Sequence, residues 1–155
     1  MNTGSAVYDA VATALGFAAK GAHGKKVLLL ISDGNDISSR RSAQDVQGAI
    51  RASEVLVYAL GVEGGLAMSR FGPTYASVNA SALRRLTDDT GGRTEVVKGF
   101  TKLVESTARL ADEFNRQYVI GYAAPAGRDG RWHSIKVEVR RRGANVRARA
   151  GYVAS

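Results

Sequence analysis

One stretch decides the fold of this chain: Lys26-Val27-Leu28-Leu29-Leu30-Ile31-Ser32-Asp33-Gly34-Asn35-Asp36. Its five consecutive apolar residues end abruptly at an acidic turn that contains glycine. Such a run, bounded by a turn signal, is typical of a parallel strand that is buried on both faces. Ligands of open α/β sheets bind at the carboxyl ends of the strands. We therefore expect the functional site at this turn, with Asp33 and Asp36 as its first candidates.

Helical and strand-like patterns alternate on both sides of this stretch. This alternation predicts an α/β fold, in which a parallel sheet is built through right-handed crossovers. The predicted helices are 5–19, 43–53 with Ser42 as N-cap, a short helix capped by Asn79 or Ser81, and 100–114; the predicted strands are 27–31, 55–61 and 94–97.

Two segments of this array carry further expectations. Helix 100–114 has the clearest apolar stripe in the chain, and we interpret that stripe as core packing. Residues 62–78, which include Gly64, Gly65 and Pro73, form a long predicted loop. Loops of this length are often functional.

The pattern changes after Gln117. Segment 118–122 is strand-like, and apolar residues alternate along 132–141 and again along 146–150. This predicts a three-stranded antiparallel meander with one apolar and one arginine-rich face. The chain is therefore divided into an α/β domain, residues 1–116, and a meander extension packed on the same domain, residues 117–155.

Composition and motifs exclude several classes of protein. The 155 residues contain no cysteine, so disulfides and thiolate metal ligands are excluded. No apolar stretch approaches the roughly 18 residues of a membrane span, and a signal peptide is not recognised at the N-terminus. The two histidines, His23 and His133, have polar or glycine neighbours, and neither a Gly-x-Ser-x-Gly elbow nor a phosphate-binding glycine loop is present. We therefore expect a binding protein and not an enzyme.

The net charge of +8 is concentrated in the C-terminal segment, where residues 117–155 contain eight Lys/Arg and two acidic residues. Such a segment can attract nucleic acid or another polyanion. A solvated strand face explains the same pattern, and we favour that interpretation over nucleic-acid binding. The candidate polyanion contacts are Arg140, Arg141, Arg142, Arg147 and Arg149.

Five segments occur in a characteristic order: Gly4-Ser5-Ala6-Val7-Tyr8-Asp9-Ala10, the 27–36 stretch, Thr90-Gly91-Gly92-Arg93, Gln117-Tyr118-Val119-Ile120-Gly121-Tyr122 and Ala148-Arg149-Ala150-Gly151-Tyr152. In this order they resemble a von Willebrand factor type A domain, and in particular the bacterial von Willebrand factor A-related proteins described from Acidobacteria. The resemblance covers almost the whole chain. It implies a doubly wound, Rossmann-like sheet with a metal-ion-dependent adhesion site at its top.

By this resemblance, Ser5 and Asp33 are metal ligands. Ser5 takes the place of a threonine in the family's second metal-site loop, and Asp33 takes the place of the third-loop aspartate. Their hard oxygen atoms suit Mg²⁺ or Mn²⁺. Ser32, Gly34 and Asp36 are expected to support the site, Asp36 by an Asx-type bond that orders the turn.

The first metal-site loop of the family, Asp-x-Ser-x-Ser, does not occur in the 155 residues. We therefore expect an N-terminally truncated domain with an incomplete site that binds metal weakly or not at all. Strand 27–31 then lies at an open edge, which is a pairing hazard. Three explanations compete: a C-terminal fragment of a longer product, which we favour, pairing of this edge with itself or another chain, or coverage by the meander.

The expected function is metal-assisted binding of a protein partner that offers a carboxylate. Two alternatives remain: a basic meander that binds nucleic acid or another polyanion, and a metal-free interaction scaffold. The family resemblance suggests a secreted or cell-envelope location for a full-length form.

Overall fold

The computed structural model describes residues 4–63, 77–123 and 127–154, which form an α/β array followed by a small antiparallel sheet. The predicted fold class is therefore confirmed. The elements are α1 (Val7–Ala19), β1 (Val27–Ser32), α2 (Ala43–Ala52), β2 (Leu56–Glu63), α3 (Ala80–Thr87), a 3₁₀ turn (Asp88–Thr90), β3 (Thr94–Lys98), α4 (Gly99–Asn115), β4 (Trp132–Ser134) and β5 (Gly151–Val153).

The main sheet has the strand order β1-β2-β3, and both pairs are parallel. Val27 is opposite Leu56 at the start of the β1–β2 ladder, and Ser32 is opposite Gly61 at its end. All three strands therefore end at the same edge of the sheet, where parallel α/β proteins place their ligands.

Helices cover both faces of the sheet. Helices α1, α2 and α3 enclose one apolar cluster, which includes Val11, Ile50 and Leu86. Helix α4 encloses a second cluster on the opposite face, around Leu60 and Leu110. The doubly wound arrangement expected from the sequence is thus present in a sheet of three strands.

Local signals explain where the helices begin. The Ser42 hydroxyl accepts a hydrogen bond from the N–H of Asp45, whose carboxylate in turn accepts from the N–H of Ser42, so the two residues form a capping box at α2. The Asn79 side chain accepts from the N–H of Ala82 and caps α3. Both N-caps agree with the sequence prediction.

Strand β1 is less buried than its apolar run predicts. Leu28, Leu29 and Leu30 are only partly buried, and Ile31 is 45% exposed. The prediction of burial on both faces is wrong for β1, because this strand lies at the edge of the sheet. The fully enclosed strand is β2, where Val57 and Leu60 have no solvent exposure.

The apolar stripe of α4 is also only partly buried. Leu103 and Leu110 face the sheet, but Phe100 is 71% exposed and Val104 is 52% exposed. The interpretation of the whole stripe as core packing is therefore wrong for its outer flank. A sheet of three strands is too narrow to cover that flank.

The described part of the C-terminal extension has two strands instead of the predicted three. β4 and β5 pair antiparallel, with Trp132 opposite Val153. Segment 118–122 has no regular secondary structure, and the Tyr118 side chain is 94% exposed. Residues 136–149 also lie outside the ladder, because in the described part of the chain no second layer buries their alternating apolar side chains.

Two further predictions concern the long loop and the absence of a membrane span. Most of the predicted 62–78 loop, residues 64–76, lies outside them. In the part of the chain that is described, every helix is too short or too polar to span a bilayer.

Candidate strand-end site

The segment before α1 and the loop after β1 are in direct contact. The carbonyl oxygen of Ser5 accepts hydrogen bonds from the N–H groups of Ile37 at 2.8 Å and Ser38 at 3.0 Å. Glycine permits this approach, since a Cβ on Gly4 would lie 2.2 Å from the Ser38 hydroxyl oxygen. The segment that carries Ser5 and the loop that carries Asp33 are thus joined through main-chain hydrogen bonds, and Ser5 itself is exposed.

Asp33 orders its own turn. Its carboxylate accepts the backbone N–H of Asn35 at 3.0 Å and the Asn35 side-chain amide at 3.1 Å, which is an Asx turn. Its carbonyl oxygen accepts the N–H of Asn79 at 2.7 Å and so ties the turn to the start of α3. The Asx-type bond assigned to Asp36 from the sequence is therefore made by Asp33.

Ser32 and Gly34 shape the same turn. The Ser32 hydroxyl accepts the N–H of Gly34 at 3.1 Å. Gly34 is buried with φ of 78°, and a Cβ at this position would lie 2.7 Å from the Asn79 carbonyl oxygen and 2.8 Å from the Leu83 side chain. Only glycine meets both the conformational and the steric requirement.

Asp36 caps the helix that precedes it in the chain. Its carboxylate accepts the N–H of Tyr8 at 3.1 Å and the Ser39 hydroxyl at 2.6 Å. The Ser39 hydroxyl accepts the N–H of Asp9 at 3.1 Å. Ala6, the N-cap residue of α1, has no capping side chain, so Asp36 and Ser39 satisfy N–H groups that the helix leaves free.

Asp9 completes this contact from the helix side, and sequence reasoning missed it. Its carboxylate accepts the N–H groups of Arg40 at 3.0 Å and Arg41 at 3.2 Å. The hydrogen bond from the Arg40 N–H is the main reason why the pKa of the Asp9 carboxyl lies below its ordinary value. An acidic residue in the first turn of α1 was the available signal.

The donor chemistry of this site fits a divalent cation only as part of a larger set. Ser5 and Asp33 offer a hydroxyl and a carboxylate, which are hard oxygen ligands of the kind that Mg²⁺ binds. Within residues 4–63, 77–123 and 127–154, however, no group of three or more histidine, aspartate or glutamate residues is placed to hold a metal. Mg²⁺ takes about six ligands, so the remaining positions require water or other protein groups.

The five C-terminal arginines have different environments. Arg140, Arg141 and Arg142 are exposed. Arg149 donates from Nε to the carbonyl oxygen of Gly151 at 2.6 Å and from Nη2 to that of Arg51 at 2.7 Å, and burial lowers its pKa. Arg147 forms an ion pair with Glu113 of α4. The structure therefore does not bring the five side chains into one patch.

A polar network lies between α4 and the C-terminal segment. The Tyr58 hydroxyl donates to the Glu113 carboxylate at 2.9 Å and accepts from the Gln117 amide at 2.7 Å. Tyr58 is fully buried, and its burial, together with Glu113, raises the pKa of its phenol to about 12. Since Glu113 also pairs with Arg147, this network anchors the segment that precedes β5.

No family model matches the sequence, and no curated protein matches it. Among solved structures, the chain is similar to the crystal structure of the conserved hypothetical protein BatB from Bacteroides thetaiotaomicron, with a TM-score of 0.55 and 14% identity. The match covers 76% of this chain and 62% of the BatB chain, so this chain spans less than two thirds of that protein's length. At this identity the likeness shows a common fold.

Proposed function

We propose that this chain is a protein-binding module that contributes two loops to a divalent-metal site at the carboxyl ends of its parallel strands. Ser5 and Asp33 are the metal ligands in this proposal, and Mg²⁺ or Mn²⁺ is the cofactor. The observation that carries it is the pair of hydrogen bonds from Ile37 and Ser38 to the Ser5 carbonyl oxygen, because they join the two loops.

The partner in this proposal is a protein that offers a carboxylate. A bound cation with an open coordination position attracts such a group, and the partner's oxygen then completes the metal's ligand set. The proposal needs further oxygen ligands, which the family resemblance assigns to an Asp-x-Ser-x-Ser loop. That motif does not occur in the 155 residues, so we expect weak metal binding by this chain.

Paramagnetic broadening by Mn²⁺ tests the site even when binding is weak. In a ¹H–¹⁵N spectrum of the chain, sub-stoichiometric Mn²⁺ should broaden the amide signals around Ser5 and Asp33 before any others. Asp33→Ala should remove the effect while the helical circular dichroism signal is retained. Asp112→Ala is a matched control, because Asp112 is an exposed aspartate that pairs with Arg116, four residues later, and is not a residue of the candidate site.

An extended form of the protein tests whether a complete set of loops binds metal more tightly. Calorimetry on a version with an Asp-x-Ser-x-Ser segment added upstream should show tighter Mg²⁺ or Mn²⁺ binding than the 155-residue chain. Absence of selective broadening in the chain, together with no metal binding by the extended version, would refute the metal site.

The exposed Arg140–Arg142 run supports a second candidate function, the binding of a polyanion such as nucleic acid. It predicts an affinity for DNA or RNA that falls steeply as the salt concentration rises, because binding releases counterions from the nucleic acid. Replacing the three arginines by alanine should weaken this binding and flatten the salt dependence. Negligible binding of the unchanged chain at low salt excludes this candidate.

A further inference from the structure

Among the described residues, the main-chain groups on the outer edge of β1 have no partner strand. The carbonyl oxygen of Lys26 accepts the N–H of Leu56 in β2 at 3.0 Å. Because peptide groups alternate in direction along a strand, Leu28 and Leu30 also point their main-chain groups at β2. The main-chain N–H and C=O groups of Val27, Leu29 and Ile31 point in the opposite direction, away from β2.

Along this edge the side chains are apolar. Val27 and Leu29 pack against the cluster under α4, and Ile31 lies 45% exposed on the same face. In the described part of the chain, β1 pairs with β2 alone. An edge strand of six residues, five of them apolar, is a template for another strand.

We propose that two copies of this chain pair antiparallel through β1, with a two-fold axis at Leu29. In an antiparallel ladder, the two residues of a hydrogen-bonded pair point their main-chain N–H and C=O groups at each other. Residues whose main-chain groups point out from β1 must therefore lie opposite each other. This register places Leu29 opposite Leu29 of the second copy, and Val27 opposite its Ile31. The exposed side of Ile31 is then covered by a valine, and the remaining pair in the ladder is Leu28 with Leu30.

Charge selects the antiparallel direction. The same register brings Lys25 of one copy opposite Asp33 of the other, at both ends of the strand pair. A parallel alignment instead brings the two Lys25 residues to one end of the strand pair and the two Asp33 residues to the other. Opposite charges across a strand pair are stabilising and like charges are destabilising. The charges of Lys25 and Asp33, at the two ends of β1, therefore favour antiparallel pairing with a second copy.

The exposed flank of α4 lies on the side of β1. Ser106 and Arg109 of α4 bond to Glu95 in β3. With 3.6 residues per helical turn, Phe100 and Val104 lie on the opposite flank of α4, away from β3. A two-fold axis normal to the sheet places the apolar flanks of both α4 helices on one face, on either side of the joined β1 strands.

This pairing is closed and goes beyond the proposed metal-dependent function. Each copy uses its β1 edge once, so the product is a dimer with one continuous sheet of six strands. The dimer requires no metal, and its test stands apart from the test of the metal site.

Sedimentation equilibrium of the 155-residue chain over a wide concentration range, without metal, measures the association directly. We expect a monomer–dimer equilibrium. Ile31→Lys places a charge in the ladder and should raise the dimer Kd roughly tenfold or more. Val96→Lys is the matched control, because Val96 is an apolar residue with 42% exposure on β3, the opposite edge strand. It should leave the Kd unchanged.

Zero-length carbodiimide crosslinking tests the register. A mixture of ¹⁵N-labelled and unlabelled chains should give a peptide pair joined by an amide bond between Lys25 and Asp33 of different copies. Lys25→Glu, a substitution at an exposed position, should weaken the dimer and serves as the second variant if Ile31→Lys fails to fold. A strict monomer at all concentrations, growth beyond the dimer, or a dimer insensitive to both variants would overturn the proposal.

Discussion

The carboxylate of Asp36 accepts a hydrogen bond from the backbone N–H of Tyr8, 28 positions earlier in the chain, at 3.1 Å. The loop that follows the first strand therefore caps the helix that precedes that strand. Asp9 returns the contact, since it accepts the N–H groups of Arg40 and Arg41. Helix α1 and the loop after β1 are held as one unit, which fixes the segment that carries Ser5 against that loop.

We expect Asp36→Ala to lower the free energy of unfolding by about 1 kcal/mol, the usual cost of losing a side-chain cap. Urea denaturation followed by circular dichroism measures this change. Asp112→Ala should change stability by less than about 0.5 kcal/mol, because the Asp112 ion pair with Arg116 is long, at 3.8 Å, and exposed. Equal effects of the two substitutions would contradict the capping role of Asp36.

Gly34→Ala should destabilise the fold by about 2 kcal/mol, because a side chain is strained at φ of 78° and its Cβ would clash with Asn79 and Leu83. Gly48→Ala should do the opposite. Gly48 lies inside α2, and a Cβ there has no neighbour within 4 Å, so alanine should stabilise the helix by about 0.5–1 kcal/mol. Thermal unfolding of both variants measures whether stability falls in Gly34→Ala and rises in Gly48→Ala. A Gly34→Ala variant as stable as wild type would refute the steric argument.

The alternation of helices and strands was predictable because each element carries its own local signal. The Ser42 cap and the apolar spacing of α2 are examples. The apolar run alone did not indicate the exposure of β1, since five apolar residues fit a central strand and an edge strand equally well. The open edge at 27–31 was expected only from the absence of the family's first metal-site loop. Which neighbour covers an edge depends on the strands available elsewhere. Alternation along 132–141 likewise indicates a strand, but without a second layer Val137 and Val139 stay exposed.

The candidate site shows the same division between local and distant information. Sequence reasoning found the acidic turn, because a strand end followed by Asp-Gly is a local pattern. It assigned the turn-ordering bond to Asp36, although Asp33 makes that bond, and it missed Asp9 and Ser39. The bonds of Asp36, Asp9 and Ser39 between α1 and the loop join residues about 30 positions apart, and such contacts become visible only when the helix and the loop are placed in space.

Tyr58 should make stability depend on alkaline pH. Its pKa is about 12 in the folded protein, against about 10 in the unfolded chain, so the folded state favours the neutral phenol. This contribution is fully present below about pH 10 and is lost as pH rises toward 12. Tyr58→Phe should be less stable by about 1 kcal/mol near neutral pH, because the bonds to Glu113 and Gln117 are lost.

Urea unfolding of both proteins between neutral pH and pH 11 measures this dependence. The difference in free energy between wild type and Tyr58→Phe should shrink above about pH 10. Tyr118→Phe is the control, since Tyr118 is 94% exposed and makes no side-chain hydrogen bond within the described residues. A gap between wild type and Tyr58→Phe that stays constant with pH would contradict the assignment.

Trp132, the single tryptophan, reports how the C-terminal sheet is attached. Its ring lies 5.3 Å from the Arg51 guanidinium, and the Arg51 carbonyl oxygen accepts a hydrogen bond from Arg149. Arg149→Ala removes that bond and the one to Gly151, so we expect a loss of about 2 kcal/mol and a red shift of the tryptophan emission. Steady-state fluorescence and urea unfolding measure both effects.

The two probes also separate detachment of this sheet from global unfolding. In Arg149→Ala the fluorescence transition should occur at lower urea than the loss of helical circular dichroism, because the sheet is released from α2 while the helices remain folded. Arg140→Ala, at an exposed position of the same segment, should keep the two transitions and the emission maximum unchanged. Coincident transitions with an unshifted emission in Arg149→Ala would show that Arg149 does not anchor the sheet.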